Sequence, residues 1–144
     1  MPALSRISFF SVILAGLIAV QPAAAEDELA FQIKALQTER IITLSNLAAY
    51  CKGEFEMGMM HAEAVIDADA DLLKARLDAA AKPEERIAIL SEHVKGQTEL
   101  LKLIEGRRQA ATVGLANVYR ARSLLLNTKI LLLRERSLQK AAKK

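Results

Sequence analysis

The sequence predicts an all-α protein: an elongated up-down-up-down four-helix bundle, or coiled coil, made of two antiparallel helical hairpins in tandem. Three observations carry this expectation. Apolar residues recur at alternating spacings of 3 and 4 along four separate stretches, the period of a packed helical seam. The second half of the chain echoes the first at an offset of 53, which sets Gly53 on Gly106, Gly58 on Ala111, Val65 on Val118, Ala68 on Ala121, Leu72 on Leu125 and Leu77 on Ile130. Gly58, Pro83 and Gly114 punctuate the gaps between the stretches. A hydrophobic content of 52% with only 4% aromatics agrees, because it favours aliphatic helix packing over a sheet-built core.

Residues 1–25 read as a signal peptide and 26–144 as one tandem-hairpin domain. Arg6 supplies the basic start, Ile7 to Val20 an apolar run, and Ala23-Ala24-Ala25 a small-residue cleavage site, with cleavage expected after Ala25. The apolar run is shorter than the roughly 20 residues of a membrane span, so the mature chain is expected to be periplasmic and to keep no span. Arg6 leaves with the signal, and 19 basic residues then face 17 acidic ones, a balance with no general attraction to nucleic acid. Cys51 is the only cysteine, which excludes an intramolecular disulfide.

The first helix is expected over about 27–57, with Ile41, Leu44, Ala48, Cys51 and Phe55 as its seam. Met57-Gly58-Met59-Met60-His61 breaks the pattern, and Gly58 can take the left-handed backbone that ends a helix. The second helix, about 62–81, carries Val65, Ala68, Leu72, Ala75 and Ala79, with acidic residues near its start to suit the helix dipole. Pro83 disfavours helix at Lys82 but fits the first turn of a third helix over about 84–110. That helix has Ile87, Leu90, Val94, Leu101 and Ile104 on its seam, interrupted by Gln97. After a turn at Ala111 to Gly114, a fourth helix over about 115–140 shows Val118, Ala121, Leu125, Thr128 and Leu132. It is apolar as well at Leu124, Leu126, Ile130, Leu131 and Leu133, more of its circumference than a single seam covers. Either this helix is the most buried of the four, or these residues form an interaction surface for another copy or another envelope protein.

At Glu105, Arg107 or Arg108, Ala111, Val118, Ala121 and Leu125, followed by Leu131-Leu132-Leu133-Arg134-Glu135-Arg136, the sequence resembles the periplasmic coiled-coil hairpins of TolC-like outer membrane efflux proteins. The resemblance covers most of the chain after residue 25, once per hairpin, and implies helical-hairpin architecture and an envelope location. The chain departs from that pattern at Ala111, where glycine is preferred, and at Gly114, where a Ser or Thr cap is expected. It also lacks the alternating strand-like runs from which that family builds a barrel.

Candidate chemistry concentrates at Met57, Met59, Met60 and His61, with Cys51, Glu54 and Glu56 one or two turns back. Thioether and imidazole groups suit Cu(I) or a related soft metal. Methionines filling an irregular gap at a hairpin tip are the competing reading, with Cys51 as a buried thiol. His61 and His93 are the only histidines, and neither has a nucleophile or acid partner at a catalytic spacing. Asp67, Asp69 and Asp71 do not form a calcium ladder, because residues two apart on a helix face different ways. The function expected is therefore non-enzymatic: an exported helical interaction or structural protein of the cell envelope, or alternatively a metal-responsive or chaperone-like helical protein using the Met57–His61 cluster.

Overall fold

A computed structural model describes residues 22–143. Within them lie four helices and no strand: α1 (Pro22–Glu56), α2 (Ala62–Ala79), α3 (Pro83–Gln109) and α4 (Leu115–Ala142). The expected signal segment falls outside the described residues as far as position 21. α1 is already helical at Pro22, five residues before the expected Asp27, and the remaining boundaries lie within two residues of those read from the periodicity.

Successive helices run antiparallel, and the seams predicted from spacing are the faces that pack. Cys51, Phe55, Val65, Ala68, Ala75, Leu90, Leu101, Ile104, Val118, Ala121, Leu125 and Leu132 are all buried, as is Thr128. Most of them form one core toward the hairpin tips, shared by both hairpins. A smaller core of Leu73, Leu90 and Leu132 closes the opposite end, the base. α2 is the central element, packing against α1, α3 and α4, whereas α1 makes backbone contact with α2 alone. The bundle is therefore not a closed square. Arg40 near the middle of α1 pairs with Asp78 in the last turn of α2 at 3.4 Å, so α1 upstream of Glu39 runs past the end of its partner.

The two tips are duplicates at the level of single backbone hydrogen bonds. The Met59 N–H donates to the Glu54 carbonyl at 2.9 Å and Gly58 to Phe55 at 3.0 Å; 53 residues on, Thr112 donates to Arg107 at 3.0 Å and Ala111 to Arg108 at 2.8 Å. This is the paired pattern that satisfies the last carbonyls of a helix and requires a left-handed residue between them. Gly58 takes that conformation at φ 82°, and Ala111 takes it at φ 59° despite its Cβ. Each tip then restarts on an equivalent extended residue, His61 or Gly114, neither of which caps through a side chain. His61 thus stands at the helix start, but its ring supplies no capping bond.

The α2–α3 corner depends on Pro83 as the first residue of α3. The Lys82 N–H donates to the Glu85 carboxylate at 3.4 Å; the return half of a capping box is missing, since an ammonium cannot accept.

Candidate functional site

Two regions hold the residues singled out above: the paired hairpin tips and the outer face of α4. At the tips, Met59, Met60 and His61 from the first hairpin face Arg107, Thr112 and Asn117 from the second across a cleft of about 360 Å³. Arg107 joins the two. Its guanidinium lies 4.8 Å from the centroid of the Phe55 ring and donates to the Glu56 carbonyl, one of the carbonyls left over at the end of α1. Sequence reading treats Arg107 as a solvated charge; burial of Phe55 directly beneath it is what recruits it. One sequence signal bears on it, because the offset of 53 sets Glu54 on Arg107, a reversal of charge between otherwise similar copies.

The soft-ligand cluster is only partly brought together. Met57 and Met59 are 63% and 65% exposed, His61 is exposed, and Met60 packs against the core. Cys51 is buried at 4% exposure within that core, as its seam position requires. Among the described residues no group of three or more His, Cys, Asp or Glu side chains is placed to hold a metal ion.

A polar network between the hairpins was not foreseen. Gln97, which interrupts the α3 seam, is 2% exposed and donates to the Asp69 carboxylate at 2.7 Å. His93 is buried beside the same carboxylate, 3.4 Å away through Nδ1, and its Nε2 lies 3.5 Å from Arg76. Arg76 in turn donates to Glu92 at 2.7 Å, and that hydrogen bond holds the Glu92 carboxyl below its ordinary range. Asp69 thus turns inward while Asp67 and Asp71 stay exposed, as residues two apart on a helix must. The Gln97 Oε1 has no partner. At the base Arg86 plays the part that Arg107 plays at the tips, donating to the Leu77 carbonyl at 3.1 Å and to Glu135 at 2.7 Å. These contacts fix how one hairpin sits on the other.

On α4 the first of the two alternatives fails: it is not the most buried helix. Five of its 28 residues are buried, against six of 18 in α2. Leu126, Ile130, Leu131 and Leu133 are exposed at 51%, 46%, 38% and 65%, and only Leu124 is tucked against the core. The exposed stripe continues at Tyr119 and is flanked by Arg122, Lys129, Arg134 and Arg136. No described helix is long and apolar enough to cross a membrane.

Compared with known proteins, no family model matches the chain, and neither a curated protein nor a solved structure matches it.

Proposed function

We propose that this chain is an exported, non-enzymatic helical interaction protein of the cell envelope, akin in architecture to a TolC-like coiled-coil hairpin, and that it works by helix-to-helix contact through the outer face of α4. One observation carries the reading: Leu126, Ile130, Leu131 and Leu133 remain in solvent after the chain has buried its own seams. Aliphatic side chains at helical spacing that a fold leaves uncovered mark an interaction surface when they form a contiguous stripe. The signal-like segment at residues 1–25 supports export.

A photo-crosslinking residue placed at Leu126 or Leu133 in the expressing cell tests the surface, with Lys95 on the exposed side of α3 as control. Adducts at the two α4 positions and none at Lys95 are expected. Equal labelling at all three sites refutes a dedicated surface, and a product that retains residues 1–25 in the cytoplasm refutes export.

The second reading, soft-metal binding at the tip, rests on the exposure of Met57, Met59 and His61. Its test is Cu(I) titration of the wild type against Met59→Leu and His61→Ala. Tight binding weakened at least tenfold by either change favours it; weak, unchanged binding ends it.

A further inference from the structure

We propose that the partner of the α4 face is a second copy of this chain, whose α1 lies antiparallel along it; the inference rests on the interaction reading above and names its occupant. α1 has a second seam that nothing in its own chain covers. Leu29, Ile33, Leu36, Leu47 and Tyr50 are exposed at 61%, 51%, 65%, 45% and 59%, and with Arg40 and Thr43 they repeat the spacing 4, 3, 4, 3, 4, 3. Part of this seam lies on the arm that outruns α2, where a lone helix in water is marginal without a partner.

The two uncovered seams match in register. Gly58 and Ala111 are the equivalent left-handed residues of adjoining tips, so residues equally far from them along α1 and α4 stand at similar heights. Tyr50, Thr43 and Leu36 lie 8, 15 and 22 residues before Gly58; Tyr119, Leu126 and Leu133 lie 8, 15 and 22 residues after Ala111. Each step is one heptad, the repeat that keeps a seam facing its partner over several turns.

Charge selects the same pairing and the same direction. The described start of α1 carries Glu26, Asp27 and Glu28, and the end of α4 carries Arg134, Arg136 and Lys140. With two copies side by side and their tips pointing the same way, these clusters fall at the same end, the acidic one beside the basic one. Helix dipoles agree, since the amino end of one helix then meets the carboxyl end of the other. Within one chain α1 and α4 both pack on α2 and do not meet, which leaves both seams free for a neighbour. Because the two faces differ, the contact is heterologous.

The test uses the full-length gene product as the cell delivers it, with Cys51→Ala removing the native thiol. One preparation carries Leu36→Cys, another Leu133→Cys, and the mixture is oxidised with copper phenanthroline. A cross-link between the two at least tenfold faster than between Thr43→Cys and Leu133→Cys, which are one heptad out of register, supports the proposal. So does an oligomer that Leu36→Glu or Leu133→Arg dissolves without loss of helix by circular dichroism, and that the two variants mixed restore. A strict monomer in sedimentation, Leu133→Cys linking only to itself, or sedimentation with phosphatidylglycerol vesicles in place of self-association would each overturn it. If the chain is monomeric yet the Leu133 photo-adduct in cells contains a different protein, the second-copy inference fails and the interaction reading survives; with no adduct at all, both fail.

Discussion

Ala111 sits in the left-handed region at φ 59°, a conformation its Cβ makes costly by about 1–2 kcal/mol and which glycine adopts freely. Ala111→Gly relieves that cost, offset by about 0.4–1 kcal/mol from the looser unfolded chain. The net expectation is stabilisation by about 0.5–1 kcal/mol, or a rise in Tm of about 2–4 °C for a chain of this size. The duplicated tip supplies the mirror experiment. Gly58→Ala forces the same strain on the first hairpin and should destabilise by a similar amount. A Cβ at Gly58 would meet Arg107 Nη1 at 3.6 Å, an ordinary contact, so the loss comes from the backbone and not from a clash. Gly106→Ala is the control, since it lies inside α3 with nothing within 4 Å of the added carbon and should stabilise by about 0.5–1 kcal/mol. Urea or thermal melts of the three variants decide the matter. Ala111→Gly that fails to stabilise, alongside Gly58→Ala that costs nothing, would show that the tips are not built on left-handed residues.

Phe55→Ala removes a ring that is 1% exposed and sits under Arg107, and should cost about 3–5 kcal/mol in urea melts. Arg107→Ala should cost about 1–2 kcal/mol, from the cation–π contact and the hydrogen bond to Glu56 together. Gln97→Leu removes the unpaired Oε1 and should leave the melting temperature unchanged or raised, whereas Asp69→Ala strands Gln97 and should lower stability by about 1–3 kcal/mol. Below pH 5 the Arg76–Glu92 pair gives a signed prediction. The folded carboxyl is held below its model value of 4.5, so its stabilisation is complete above that pH and lost as pH falls through the folded value. Glu92 is 65% exposed, which limits the effect to a few tenths of a kcal/mol, and Glu92→Gln should flatten the acid limb of the stability curve by that amount.

The sequence by itself determined the helices, their seams and the corners between them, because those features are local. The 3, 4 spacing decides which residues can share a helix face, Pro83 can only open a helix, and a tip needs a left-handed residue wherever the chain places it. The offset of 53 even located Ala111 as the counterpart of Gly58 before its conformation was known. How one hairpin docks on the other could not be read, since it depends on contacts between residues dozens of positions apart. Gln97 looked like an interruption of a seam, Asp69 like a solvated helix start and Arg107 like a surface charge; all three join the hairpins. Only the tertiary structure decided that α2, the shortest helix, is the central one, and that the leucines of α4 face outward. Helical periodicity fixes which side chains lie on one stripe, while coverage of that stripe depends on which neighbours arrive there.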